Sequence, residues 1–299
     1  MTRPAIGFIG IGLMGEAMTL RLLEQGWDVT VWNREPERLE RVLQHGAVAA
    51  QSPAQVARRC DIVLMCVLDG PAVTDCVFGE AGLVRADGCR ARLVIDLSTI
   101  EPALTRALAK QAADEHGLAW VDAPVSGGPA AARDGTLTIM AGGDTRAVEQ
   151  AGPVLACLAA NLTHMGSTGA GQTAKVLNQA IVGASFVLMT EVALLAEASG
   201  IAADRLPACL AGGFADSVLL QKLYPRILAR AFDPPAGYAR QLSKDMQAVD
   251  AFAREHGCDL PLVRSAATRY AEYVEQGGGM ADSASIVRLY EAGKKVGSP

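Results

Sequence analysis

The amino-acid sequence predicts an α/β protein: an N-terminal doubly wound domain built on a parallel sheet, followed by an all-α C-terminal domain. In the first half, short apolar runs alternate with helical segments, the pattern of strands covered on both faces by helices. From Gln172 to Tyr290, helical periods punctuated by Gly and Pro take over, with no convincing strand. The length of 299 residues fits two domains, because single cores tend to split beyond roughly 250 to 300 residues. The expected division is residues 1–166 and 167–299.

The elements follow in order. "AIGFIG" reads as the first strand and Gly15 to Glu24 as the helix after it; "DVTVWN" is the second strand, with a helix from Glu35 to Gln44. "IVLMCV", "RLVIDLS" and "AWVDAP" continue the set, and "LTIMAGG" and "LTHMG" extend the sheet to about Met165. After "GSTGAGQ" a helix of about 30 residues opens the second domain. Later helices are separated at "ASGIAAD", "AGGFADS", "FDPPAGY", "HGCDLP" and "QGGGMAD".

Composition narrows the class. Half the residues are hydrophobic, a fifth are charged and the formal net charge is -5, values of a soluble globular chain that argue against a nucleic-acid binder. The apolar start "MTRPAIGFIGIGLMG" is interrupted by four glycines, so no export signal is expected. From Ala180 to Ala196 only Glu191 is charged, but Gly183, Ser185, Thr190 and Glu191 favour a buried helix over a membrane span. The seven cysteines are scattered without a C-x-x-C pair and read as reduced thiols. The four histidines lack metal-ligand spacing, so no metal is expected. A cytoplasmic location is the expectation.

The first strand runs into Gly10-x-Gly12-x-x-Gly15, which opens a helix. In that setting the first glycine makes the tight turn, the second admits a pyrophosphate to the backbone, and the third lets helix and strand pack. This is the dinucleotide-binding signature of a Rossmann domain. The second strand ends in "TVWNREPER", where NAD-binding folds place an acidic residue on the ribose. Here stand Asn33 and Arg34, with Arg38 a helical turn on. A guanidinium grips a 2′-phosphate that a carboxylate would repel, so NADP(H) is the expected cofactor and NAD(H) the alternative.

Two loops follow strands on the same sheet edge. "DLSTIEP" places Ser98 and Thr99 there, and "DAPVSGG" places Ser126, Gly127 and Gly128. Consecutive N–H groups with glycine freedom and a hydroxyl make a small anion cradle, although "SGG" alone also suits a plain turn. Lys175 lies in the apolar stretch "AKVLNQAIVGASFVLM", with Asn178 and Gln179 on its face. Apolar neighbours lower a lysine's pKa toward the range useful for proton transfer. A lysine near a helix end also snorkels its charge to solvent, and Lys175 alone leaves the two readings even.

Together "GFIGIGLMG", "DLSTIEP", "DAPVSGGPAAARDGTLTIMAGG", "GAGQTAKVLNQ" and "LSKDMQAV" resemble the β-hydroxyacid dehydrogenase family over nearly the whole chain. The resemblance implies a Rossmann domain, a helical domain and an active site in the cleft between them. It implies Lys175 as catalytic acid/base, with Ser126, Gly127 and Gly128 on the substrate carboxylate and Asn178 and Gln179 beside it. It places Leu13, Met14, Val67, Leu68, Thr99 and Lys244 near the cofactor, with the three glycines, Asn33, Arg34 and Arg38. It further implies a small carboxylate-bearing aldehyde or hydroxyacid as substrate and a homodimer or homotetramer formed through the helical domain.

Within the family, Asn178 followed by Gln179 resembles the tartronate semialdehyde reductases, whereas 3-hydroxyisobutyrate dehydrogenases carry two asparagines. "GGFADSVLLQ" points the same way, while Asn33 points toward the NADP-using glyoxylate and succinic semialdehyde reductases. Two alternatives stand beside these: an imine reductase, disfavoured by Lys175, and a dehydrogenase-like module that only binds.

Overall fold

The computed structural model describes residues 3–294. They fall into two compact units, the first ending at Lys175 and the second starting at Val176.

The first unit contains strands β1 (Ile6–Ile9), β2 (Val29–Trp32), β3 (Val48–Ala49), β4 (Ile62–Met65), β5 (Leu93–Asp96), β6 (Ala119–Asp122), β7 (Val125–Ser126), β8 (Leu137–Gly143) and β9 (Ala159–Gly166). Between them run helices α1 (Leu13–Glu24), α2 (Glu40–Gln44), α3 (Pro53–Arg59), α4 (Gly70–Phe78), α5 (Pro102–His116), α6 (Gly128–Asp134) and α7 (Thr145–Leu155). The strands form one sheet in the order β3-β2-β1-β4-β5-β6-β8-β7, with β9 added on β8. From β3 to β6 every pairing is parallel.

The sheet is therefore the doubly wound one expected, with a local reversal: β8 runs antiparallel to both β6 and β7. The chain returns from Ser126 to Leu137 through only the short α6, too little for the crossover that a parallel pair requires. Sequence periodicity did not reveal β3 and β7, each only two residues long.

The alternation of side chains along β1 divides the core. Ile6 and Phe8 pack with Leu20, Val31 and Ile95 on one face, while Ile9 packs with Val63, Met65 and Val94 on the other. Full burial of side chains of this size contributes about 1.5–3 kcal/mol each. Because both faces are covered, the strands are apolar without strict alternation. Polar groups are thereby pushed to the strand ends, where Asn33, Ser98, Thr99 and Ser126 of the expected site lie.

Helix α8 (Ala170–Ser199) starts in the first unit and continues into the second, which adds α9 (Leu206–Leu210), α10 (Val218–Leu228), α11 (Ala239–Glu255), α12 (Pro261–Glu275) and α13 (Val287–Lys294). By length and composition α8 is apolar enough to cross a membrane. In the fold, its Val187 packs with Met246 and Tyr270 and its Ala193 with Leu220 and Tyr224, so one side of it joins the core of this unit. Among the described residues, extended pairing in the second unit is limited to one bridge, between Tyr238 and Asp282.

Candidate active site

The turn after β1 is built from backbone. Gly10 has φ +93°, and a side chain there would overlap the carbonyl of Cys66. A side chain at Gly15 would overlap the carbonyl of Gly10, so α1 sits directly against the turn. Above Gly12, by contrast, nothing lies within 4 Å of a built Cβ. Gly12 caps α1 without a side-chain hydrogen bond, and the N–H groups of Leu13, Met14 and Gly15 have no acceptor within the helix. An open face beside the positive end of a helix fits a pyrophosphate.

Asn33 holds this turn in place. Its Oδ1 accepts from the N–H of Ile11 at 2.8 Å and its Nδ2 donates to the carbonyl of Glu35 at 2.9 Å, tying the β1 turn to the end of β2. The Arg34 side chain is 84% exposed and lies 3.7 Å from Glu35, while Arg38 pairs with the same carboxylate at 2.6 Å. Two guanidinium groups therefore share one counter-charge at the sheet edge. Leu13 and Leu68 are large apolar side chains 46% and 50% exposed, and Met14 and Thr99 are half-buried. Val67 donates its N–H to Ser98 Oγ at 3.0 Å, so Ser98 joins the loops after β4 and β5.

Past β6, Ser126 ends β7, and Gly127 and Gly128 follow with φ +133° and +74° at the start of α6. Two successive residues in the left-handed region turn the backbone in a way that residues bearing a Cβ resist. Nothing lies within 4 Å of a Cβ built on Gly128, so the turn presents an open backbone face with a half-buried hydroxyl beside it.

Lys175 is the sixth residue of α8 and only 7% exposed. The turn before it is fastened to the sheet by two residues that the motifs did not single out. Asp122, at the end of β6, accepts from the N–H groups of Gly169 at 2.7 Å and Gln172 at 2.9 Å. The Gln172 side chain donates to the carbonyl of Ser98 at 2.8 Å and accepts from the N–H of Ile100 at 3.2 Å. Asp96 lies opposite Asp122 in the β5–β6 register. Burial, with a smaller contribution from the Asp122 charge, pushes the Asp96 carboxyl up to about 7. Burial also raises Asp122, against the pull of its N–H donors. The readable signal was a carboxylate at the end of an apolar strand in each of "VIDLS" and "AWVDAP": a buried charge persists only where it is hydrogen-bonded.

In the second unit Asn178 donates to Gln179 Oε1 at 2.8 Å, and Gln179 donates to Asp245 Oδ2 at 2.7 Å. Asp245 also lies 3.3 Å from the Lys244 ammonium. The structure thus joins three of the expected site residues through Asp245, which the sequence reading missed although it adjoins Lys244 in "LSKDMQ".

A glycine turn open toward a helix N-terminus, on the first strand of a doubly wound sheet, defines a dinucleotide-binding protein. Comparison with known proteins narrows this. The model for the NAD binding domain of 6-phosphogluconate dehydrogenase matches residues 5–166. The model for the NAD-binding domain of NADP-dependent 3-hydroxyisobutyrate dehydrogenase matches residues 169–290. The chain belongs to the NAD(P)-dependent β-hydroxyacid dehydrogenase family.

It is 35% identical over 286 residues to 2-hydroxy-3-oxopropionate reductase of Escherichia coli K12, covering 96% of this chain and 97% of that protein. It is 30% identical to glyoxylate/succinic semialdehyde reductase 1 of Arabidopsis thaliana, over 94% of this chain and 96% of that protein. Among solved structures, 3-hydroxyisobutyrate dehydrogenase from Salmonella typhimurium superposes with a TM-score of 0.84 at 26% identity, covering 95% of this chain and 99% of the other.

Proposed function

We propose that the protein is an NADPH-linked reductase of a small carboxylate-bearing aldehyde, with tartronate semialdehyde (2-hydroxy-3-oxopropionate) as its substrate. The observation that carries this reading is Lys175, nearly buried on a helix whose first turn is fastened to the carboxyl ends of β5 and β6. When bound, the nicotinamide supplies the hydride. Lys175 gives its proton to the carbonyl oxygen as it becomes a hydroxyl, and takes one back in the reverse direction. Ser126 and the backbone of Gly127 and Gly128 hold the substrate carboxylate. Asn178 and Gln179, which follow Lys175 on the same helix, hydrogen-bond the substrate and discriminate among aldehydes. Leu13, Met14, Val67, Leu68, Thr99 and Lys244 flank the cofactor.

The preference for NADPH over NADH is supported by Arg34 and Arg38 converging on one site. The substrate is supported by the Asn178–Gln179 pair and by the 35% identity to a 2-hydroxy-3-oxopropionate reductase. A second reading, a glyoxylate or succinic semialdehyde reductase, is favoured by Asn33 in place of an acidic residue and by the 30% identity to such an enzyme. In either case residues 1–166 serve as the cofactor domain and residues 167–299 as the substrate and oligomerisation domain of a cytoplasmic enzyme. Association as a homodimer or homotetramer is supported by Leu177, Ile181, Leu188 and Leu195, all more than half exposed along α8.

The experiment is a paired assay of NADPH and NADH oxidation against tartronate, succinic and methylmalonate semialdehydes and glyoxylate. The reading requires the highest kcat/KM for NADPH with tartronate semialdehyde. Silence on every aldehyde, with NADPH still bound, would favour a non-catalytic binding module.

A further inference from the structure

We propose that Asp122 and Gln172 are positioning residues that set where Lys175 presents its ammonium group, by locking the first turn of α8 to the carboxyl ends of β5 and β6. The inference rests on the proton-transfer role assigned to Lys175 above.

A helix begins with N–H groups that find no acceptor within it. For α8 the acceptor comes from another element: the two carboxylate oxygens of Asp122 each take one N–H, from Gly169 and from Gln172. An ionised acceptor at the positive end of a helix makes shorter and stronger bonds than a neutral one. Gln172, fully buried, adds a second tie. Its amide accepts from Ile100 and donates to Ser98, bracketing Thr99 from both sides. Lys175 follows Gln172 by three residues, so both project from neighbouring positions on one helix face.

Packing closes the remaining freedom. A Cβ on Gly171 would overlap the carbonyls of Met140 and Asp122, and one on Gly142 would approach the Gly171 nitrogen to 2.6 Å. The backbone of the turn thus lies directly on β6 and β8, and sliding or rotating it breaks hydrogen bonds or drives atoms together. Keeping an acidic side chain in such a place is costly, since burial pushes Asp122 upward and Asp96 faces it across the strand pair. A neutral cap from within the loop would satisfy one donor without that cost. The carboxylate instead fixes two donors at once, and with them the register of the helix.

The test compares full-length wild-type protein with Asp122→Asn, Gln172→Met and Lys175→Ala, and with each of the first two combined with Lys175→Ala. Steady-state rates are measured with NADPH and tartronate semialdehyde or glyoxylate, alongside NADPH affinity. A reacting group misplaced by about 1 Å loses up to roughly a hundredfold in rate, so kcat should fall about 10- to 100-fold in Asp122→Asn and Gln172→Met. NADPH affinity should stay at the wild-type value in Asp122→Asn, whose bonds reach neither the glycine turn nor the loop of Thr99. Gln172→Met, which frees the loop around Thr99, is read by kcat at saturating NADPH. In the Lys175→Ala background neither change should lower the residual rate further. Wild-type kcat in the folded single variants, losses that disappear at saturating NADPH, or equal losses with and without Lys175 would each overturn the inference. If Asp122→Asn does not fold, Gln172→Met decides, since it leaves both Asp122 bonds in place. Near-normal turnover by Lys175→Ala would instead overturn the role of Lys175 itself, and the inference with it.

Discussion

Asp96 and Asp122 face each other across β5 and β6, and burial raises both carboxyls above the ordinary carboxylate range. Asp122 is bound by N–H donors through both oxygens. Asp96 accepts from the Ser98 N–H through Oδ1, while its buried Oδ2 has no protein partner. The pair therefore holds a proton more readily when folded than when unfolded, and the proton belongs chiefly to Asp96.

Stability follows with a definite sign. In the unfolded chain Asp96 ionises near 3.8 and in the fold near 7. Its contribution is fully present below the lower value and is lost as pH rises through the upper one. An asparagine cannot ionise, so the Tm of Asp96→Asn relative to wild type should improve steadily between about pH 4 and pH 7. Melting curves with a constant difference across that window would contradict the raised Asp96 pKa.

Cofactor choice should respond to Glu35 as well as to the arginines. Arg34→Ala should weaken NADPH far more than NADH, because only NADPH carries the phosphate. Glu35→Gln should tighten NADPH, since it removes the carboxylate on which Arg34 and Arg38 now converge. Titrations of both dinucleotides by intrinsic fluorescence would read this out. Equal loss for both in Arg34→Ala would show that Arg34 does not touch the 2′-phosphate.

Lys175→Ala should cost at least about a thousandfold in kcat, at the upper part of the usual range for general acid–base groups, with NADPH binding retained. Lys175→Arg should rescue little, because a guanidinium does not release its proton at neutral pH. Single-turnover reduction followed at the nicotinamide absorbance separates the chemical step from binding.

The exposed stripe on α8 makes a prediction about assembly. Leu177, Ile181, Leu188 and Leu195 recur at helical spacing and are 57%, 68%, 51% and 70% exposed, an apolar row that isolated soluble proteins seldom display. If the proposed homo-oligomer forms through this row, Ile181→Glu combined with Leu188→Glu should sediment as a monomer where the wild type does not, in analytical ultracentrifugation. An unchanged sedimentation coefficient would place the interface elsewhere.

Much of this was legible in the sequence because it is local. The strand runs, the glycine turn and the long helix declare themselves through short-range pattern, and α8 has the length that pattern implied. The reversed β8 did not, since strand direction depends on what lies between Ser126 and Leu137 rather than on either strand. Asp122, Gln172 and Asp245 were missed for a related reason. Each acts on a partner distant in the chain, 47 residues away for Asp122 with Gly169 and 66 for Gln179 with Asp245. Asn33, expected beside the cofactor, also ties the protein's own turns together through its hydrogen bonds to Ile11 and Glu35.

The missing side chains at Gly142 and Gly171 carry an implication for anyone reshaping this molecule. The tolerated alphabet at those two positions, one on β8 and one on α8, shrinks to a single letter, whereas Asn178 and Gln179, further along α8, are held only through side-chain hydrogen bonds to each other and to Asp245. On the proposed roles, libraries intended to change which substrate is accepted belong at the later pair. Diversity spent at the former would mostly yield proteins in which Lys175 has lost its address.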